Sequence, residues 1–410
     1  MTRSSRLPDT IAASTAAMGL AACVPALRRC FILIDMRSVS IVLVALMVQG
    51  AWAQTGKTAT LNEADDYLRK GIAAQQHNDL NEAIDDYRKA LAIDPKLAEA
   101  RANLGAALSA AGQFDAAIAE DTKALASAPD KSAVRMNLGL AYYKKGDMEG
   151  AHTAFEAVHA ARPQDVAAAV LLGYTDIKLN KSSEAAAMLT PLENGHQSNM
   201  DLEYVLAYAL IDSGEETTGL PRMESVAKAT QSADAYFVAG TARLRLREFH
   251  EARADLDAAI NLHGDFPGLY TMAGQARDAL GDTDAAQPAF EQALKADPRD
   301  YTANLYLGTM KLKQRNLDAA RPMLELALQL QPNSPMARLE MAKLNSMTGK
   351  YAEAATTLEE LEKADPNWLD PHIELAPIYY KLHRPDDGQR ERDIVQQLEA
   401  TQQKAGPPKQ

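Results

Sequence analysis

The sequence predicts an all-α solenoid, a stack of antiparallel helix pairs. Three observations predict it. A small residue recurs every 34 residues with one interval of 33, a second small residue follows each by twelve positions, and a proline closes many of the units. Because a single helix pair cannot bury its own apolar face, pairs repeated at a fixed period must stack on one another.

The repeated positions run through most of the chain. The first small residue is Gly71, Gly105, Gly139, Gly173, Ala207, Gly240, Gly274, Gly308, Ala342 and Ala376, and the second is Ala83, Ala117, Ala151, Ala185, Gly219, Ala252, Ala286, Ala320, Ala354 and Gly388. Four residues after the second comes a bulky apolar residue in Tyr87, Phe155, Leu189, Leu256, Phe290, Leu324 and Leu358. The closing prolines are Pro95, Pro129, Pro163, Pro298, Pro332 and Pro366.

Each repeated position has a physical reason. The small residue on the first helix lets the second helix approach closely, and the second small residue does the same from the other side. The pairs Gly146-Asp147 and Gly281-Asp282 predict that glycine ends a first helix and aspartate caps the next. The proline stops the second helix and forces an extended entry into the following unit.

The segments 129–163 and 296–332 carry this pattern most completely, and they resemble the tetratricopeptide repeat (TPR) family. About ten such units fit between residues 64 and 404. The resemblance implies a TPR-like, right-handed superhelix whose first helices line a concave groove, the surface that binds partners in this family. With the leader described next, the chain is similar to exported bacterial members.

The N-terminal part predicts export. From Met36 the chain has a basic Arg37, an apolar run over 41–48 and a small-x-small pattern at 51–53, the layout of a cleaved signal peptide. We therefore expect a periplasmic or secreted protein that begins at Gln54. Translation from Met1, lipoprotein anchoring at Cys23 and an uncleaved N-terminal anchor remain alternatives.

The predicted domain boundaries follow from these features. Residues 1–53 are an N-terminal extension with a signal peptide at 36–53, 54–63 are a linker, 64–404 are the repeat array, and 405–410 are a disordered tail. The fourth and fifth units lack a closing proline and contain Pro191 and Pro221, so we predict a seam near 190–232.

Composition excludes several classes of function. The net charge of −12 counts against binding to nucleic acid, and both cysteines, Cys23 and Cys30, precede the expected mature chain. No later stretch is apolar for long enough to span a membrane. Phosphate loops, dinucleotide fingerprints and nucleophile elbows are missing, so we expect no enzymatic activity, no catalytic or metal-binding residues and no cofactor.

Family analogy places three positions of each first helix in the groove, and in the middle units these positions are apolar and rich in tyrosine. The predicted partner-binding residues are Met136, Leu140, Tyr143, Val170, Tyr174, Ile177, Tyr204, Tyr208, Ile211, Phe237 and Leu244. Tyrosine suits a contact surface because it combines apolar area with a polar tip.

Three interpretations of this strip stay open. It binds a segment of a protein partner within the cell envelope, it stacks on the sugar rings of a polysaccharide through Tyr174, Tyr204 and Tyr208, or it packs between neighbouring repeats. The first makes the protein a non-enzymatic interaction scaffold, and the second makes it a carbohydrate-binding or export accessory module.

Overall fold

The computed structural model describes residues 59–196 and 198–405, which form twenty α-helices and contain no β-strand. The predicted all-α repeat fold is confirmed. The helices are α1 Ala59–Gln76, α2 Leu80–Ile93, α3 Ala98–Ala110, α4 Phe114–Ala124, α5 Lys131–Lys145, α6 Met148–Ala161, α7 Val166–Lys178, α8 Ser182–Glu193, α9 Met200–Asp212, α10 Glu216–Thr230, α11 Ala233–Leu246, α12 Phe249–Asn261, α13 Leu269–Ala279, α14 Thr283–Ala296, α15 Tyr301–Lys313, α16 Leu317–Leu330, α17 Pro335–Met347, α18 Tyr351–Ala364, α19 Leu369–Lys381 and α20 Pro385–Ala405.

The chain divides into two compact units between Ala242 and Arg243, inside α11. In the first unit each helix from α1 to α9 packs on the next, and first helices also pack on first helices, as α3 does on α5 and α7 on α9. The second unit has the same order, with α13, α15, α17 and α19 in successive contact. Pro191 and Pro221 lie inside α8 and α10 without ending them. The seam near 190–232 stays a prediction.

The first small residue of a repeat lets the second helix approach closely, as the sequence predicts. A methyl group added at Gly139 would lie 2.5 Å from the Phe155 ring, and one added at Gly274 would lie 2.6 Å from the Phe290 ring. Both rings are fully buried. The glycines therefore let the second helix place a large ring directly on the backbone of the first.

The Gly-Asp pairs end and begin helices as predicted. Gly146 has a left-handed backbone with φ of 88°, and Gly281 has φ of 75°. The next residue caps the following helix in both cases. A carboxylate oxygen of Asp147 accepts a hydrogen bond from the Gly150 N–H at 2.9 Å, and Asp282 accepts one from the Ala285 N–H at 3.2 Å.

Two boundaries differ from the prediction. Helix α1 begins at Ala59, inside the segment predicted to be a linker over 54–63. Ala59, Leu61 and Glu63 are strong helix formers, so the helix extends beyond the positions that show the repeat. At the other end, α20 includes Ala405, the first residue of the predicted tail. The predicted signal peptide at 36–53 and the tail residues 406–410 lie outside the described residues.

None of the twenty described helices combines the length and the apolar character that crossing a bilayer requires.

Candidate functional site

The predicted partner-binding residues are mostly buried in the structure. Leu140, Tyr143 and Ile177 remain partly exposed. The other eight are buried: Met136, Val170, Tyr174, Tyr204, Tyr208, Ile211, Phe237 and Leu244. Leu244 belongs to the second compact unit, whereas the rest belong to the first. Packing between repeats therefore accounts for most of this strip, and the surface available to a partner is narrower than the sequence suggests.

The helices that carry the strip start at capped positions. A carboxylate oxygen of Asp130 accepts hydrogen bonds from the N–H groups at the start of α5, and Asp165 does the same for α7. The side-chain oxygen of Asn199 accepts the Leu202 N–H at 3.0 Å to begin α9. These caps fix where each helix begins and therefore which side chains it turns toward its neighbours.

The tyrosines of the strip contact one another in two pairs. The rings of Tyr143 and Tyr174 meet edge to face, with centroids 5.8 Å apart and an interplanar angle of 64°. Tyr204 and Tyr208, one helical turn apart on α9, have centroids 6.4 Å apart. Such pairs contribute about 0.5–1.5 kcal/mol each beyond the apolar area that they bury. Of these four tyrosines, Tyr174, Tyr204 and Tyr208 are buried and Tyr143 is partly exposed.

One cation lies among these tyrosines. The Lys178 Nζ is 5.2 Å from the centroid of the Tyr174 ring, a cation–π distance. Burial lowers the pKa of Lys178 to about 8, although the nearby Asp234 carboxylate acts in the opposite direction. Burial also raises the pKa of Tyr174 and Tyr204, so both stay neutral at physiological pH. The Tyr204 hydroxyl is buried and makes no hydrogen bond within the described residues, which costs stability.

The structure also identifies residues that the sequence analysis did not single out. Asp121 is fully buried at the position where other units carry tyrosine, phenylalanine or leucine, and neither carboxylate oxygen has a hydrogen-bond partner among the described residues. Three further residues, Glu362, His372 and Glu391, come together near the C-terminus. The signal for Asp121 is a polar residue at a repeated apolar position. The other three stand out in the sequence only when the repeats are aligned by their small residues and equivalent positions are compared.

Three related sequence-family models match the chain. One tetratricopeptide repeat model matches residues 103–166, 136–190 and 271–335, a second TPR model matches 76–112, and a third matches 311–376. Together they cover more than half of the chain. The chain belongs to the tetratricopeptide repeat family. Members of this family bind protein partners, which supports a role as a protein-interaction scaffold.

Solved TPR structures resemble the chain at low identity. A tetratricopeptide repeat protein from Parabacteroides merdae is 16% identical, with 60% of this chain and 98% of that chain covered and a TM-score of 0.48. Yeast Tom70 is 14% identical, with 85% and 98% covered and a TM-score of 0.33. YrrB, described as a TPR protein with an unusual peptide-binding site, is 21% identical, with 47% and 97% covered and a TM-score of 0.40. No curated protein matches the chain.

Proposed function

We propose that this TPR protein is an exported, non-enzymatic scaffold of the cell envelope that binds an extended or helical segment of another protein. The observation that carries the proposal is that Leu140, Tyr143 and Ile177 remain partly exposed, with the Tyr143 ring held against the buried Tyr174 ring. Apolar side chains held on a rigid base give up little conformational freedom when a partner binds. The binding surface is defined by these three residues, and we call it the groove patch.

The alternative, a carbohydrate-binding module, is less well supported by the geometry. Stacking on a sugar needs an accessible ring face. Tyr174, Tyr204 and Tyr208 are only 6%, 7% and 6% exposed, so none offers one. Tyr143 alone of the tyrosines in the strip is partly exposed, and its ring already packs against the Tyr174 ring.

The groove patch can be tested with a charge on each of two neighbouring helices. The double variant Leu140→Glu/Ile177→Glu is expected to fold, because both side chains already reach solvent. It should weaken the partner at least tenfold, about 1.4 kcal/mol, since a carboxylate would have to be desolvated against an apolar segment. The partner is first identified by cross-linking and mass spectrometry of the native protein, and its affinity is then measured by calorimetry.

The matched control is Leu262→Glu, a change of the same kind at an exposed leucine that follows α12. It should leave the affinity unchanged. If the double variant binds the identified partner as tightly as the unmodified protein, the groove patch is not the binding surface. Substitutions at Tyr174 or Tyr208 are unsuitable for this test, because a charge at a buried ring would destabilise the fold itself.

Export is tested separately. The protein isolated from its native host should begin at Gln54, because the small-x-small pattern at 51–53 is the expected cleavage site. N-terminal sequencing of that protein gives the answer directly. A mature chain that starts at a lipid-modified Cys23 would instead establish the anchored alternative, and an intact Met1 or Met36 would contradict export by cleavage.

A further inference from the structure

Three side chains that can ligate metals meet where the last three helices pack together. Glu362 lies on α18, His372 on α19 and Glu391 on α20. The His372 Nδ1 is 2.6 Å from the Glu391 Oε2, and one ligand atom from each of the three residues lies within 4.8 Å of the other two. His372 and Glu391 are 1% and 3% exposed, while Glu362 is partly exposed.

The orientation of the imidazole is fixed by its second nitrogen. The His372 Nε2 is 3.0 Å from the Pro366 carbonyl oxygen. A carbonyl can only accept a hydrogen bond, so Nε2 carries the proton and donates it. The other nitrogen, Nδ1, therefore faces the carboxylates. Histidines that bind metals in proteins very often donate their remaining N–H to a backbone carbonyl in this way.

The second repeat carries different residues at two of the three positions that are equivalent to Glu362, His372 and Glu391. Its contacts there are purely structural. Arg101 stands four residues before the small Gly105, donates to the Pro95 carbonyl at 2.9 Å, and pairs with Glu120 at 2.6 Å. Leu91 occupies the position that is equivalent to Glu362. The second repeat thus has one carboxylate beside an apolar side chain, and that carboxylate is paired with both Arg101 and Lys123.

The last repeat changes two of these residues in a way that favours a metal. His372 takes the place of the arginine, and Glu362 takes the place of the leucine, while Glu391 keeps the place of the glutamate. The result is one imidazole nitrogen and two carboxylates with no arginine among them. Glu362 forms no hydrogen bond or close ion pair within the described residues, while the charges of His372 and Arg390 favour its ionised form and that of Glu391 opposes it.

We propose that Glu362, His372 and Glu391 bind a divalent transition-metal ion, Zn²⁺ in the first instance. Mixed nitrogen and oxygen ligands suit zinc, whereas Mg²⁺ and Ca²⁺ take oxygen ligands. Zinc bonds of about 2.0–2.2 Å in a tetrahedron place neighbouring ligand atoms about 3.4 Å apart. The Nδ1 and Oε2 atoms must therefore separate by less than an ångström, and water completes the coordination. The two carboxylates neutralise the charge of the ion.

Such an ion would join three consecutive helices through one ligand from each. The last described helix, α20, packs on α19. Metal binding would therefore add a further link between α20 and the two helices before it. The site is independent of the groove patch, which lies in the other compact unit.

Cobalt provides a direct probe, because Co²⁺ occupies zinc sites and gives visible absorption bands that depend on its ligands. The full chain, freed of metal with EDTA and dialysed, is titrated with Co²⁺ and then with Zn²⁺. We expect a saturable spectrum at one equivalent, its displacement by Zn²⁺, and a higher melting temperature with Zn²⁺ than without. Glu362→Gln should weaken binding at least tenfold while leaving melting of the metal-free protein unchanged, because this side chain is partly exposed.

Two further variants separate a metal site from a buried ion pair. His372→Asn should abolish the cobalt spectrum but keep the start of α19, because Asn304 at the same position of the eighth repeat donates to the Pro298 carbonyl at 3.1 Å. Glu120→Gln in the second repeat should leave the spectrum unchanged. Binding at Cys23 or Cys30 would add intense thiolate charge-transfer bands, which the proposed site lacks. A chain without a saturable spectrum, or one whose spectrum survives both Glu362→Gln and His372→Asn, would overturn the proposal and leave only an ion pair.

Discussion

Replacing Asp121 by leucine is expected to stabilise the protein by an amount that grows with pH, up to about 5 kcal/mol above pH 8. The carboxyl group is fully buried, and neither oxygen has a hydrogen-bond partner within the described residues. Burial first, and the charge of Glu120 second, raise the pKa of Asp121 from 3.8 to about 8. A tenfold change in the acid dissociation constant corresponds to about 1.4 kcal/mol between the two protonation states.

The sign of the pH dependence follows from which state holds the proton. Between about pH 4 and pH 8 the folded protein keeps Asp121 protonated while the unfolded chain has released the proton. The folded state therefore binds more protons, and the free energy of unfolding falls as the pH rises through this interval. Above the folded-state pKa the decrease stops. Urea denaturation at pH 5, 7 and 9 measures this fall in the free energy of unfolding. The first transition is the one to follow, because a repeat array need not unfold in a single step.

Two variants isolate the carboxyl group. Asp121→Leu copies Leu189 and Leu324, which fill the same position against Gly173 and Gly308, and should remove the pH dependence that this group causes. Asp121→Asn should also remove it, but without the added stability, since an amide buried without partners remains. If unmodified protein and Asp121→Leu lose stability in parallel from pH 5 to pH 9, the buried acid is not the cause. Glu120 itself is paired with Arg101 and Lys123, so its own charge is compensated.

The repeat register was predictable because it depends on contacts within one helix pair. Gly139 and Phe155 are sixteen residues apart, and that spacing alone brings the ring onto the glycine once a turn of fixed length joins the helices. The cap at Asp147 was predictable for the same reason, since its acceptor and donor are three residues apart. Local chemistry determines both, whatever the neighbouring repeats do.

Burial of the tyrosine strip could not be predicted in the same way. Whether Tyr174 and Tyr208 face solvent or a neighbouring helix depends on the angle between successive repeats, which spacing along the sequence does not set. The cluster of Glu362, His372 and Glu391 was missed for a related reason. These residues are ten and nineteen positions apart, belong to three helices, and resemble no sequence motif for metal binding. Their proximity follows only from superposing the tenth repeat on the second.

Replacing Gly139 by alanine is expected to destabilise the protein by roughly 3 kcal/mol, although alanine is the better helix former. In an exposed helix the same change stabilises by about 1 kcal/mol. Here the new methyl group would lie 2.5, 2.7 and 2.9 Å from three atoms of the fully buried Phe155 ring. Real carbon atoms do not approach so closely, so the two helices must separate or the ring must leave its rotamer, and overpacking of this kind costs about 1–3 kcal/mol or more. Thermal and urea denaturation measure the change.

The ninth repeat supplies the control, because it already pairs alanine with a smaller partner. Ala342 and Leu358 occupy the positions of Gly139 and Phe155, and both are buried. The double variant Gly139→Ala/Phe155→Leu should therefore be more stable than the sum of its two single changes predicts, by at least about 1 kcal/mol of coupling between contacting residues. Ala342→Gly should cost only the helix propensity and one buried methyl group. Additive effects in the double variant would mean that the methyl group and the ring do not compete for the same space, and the small residue would then need another explanation.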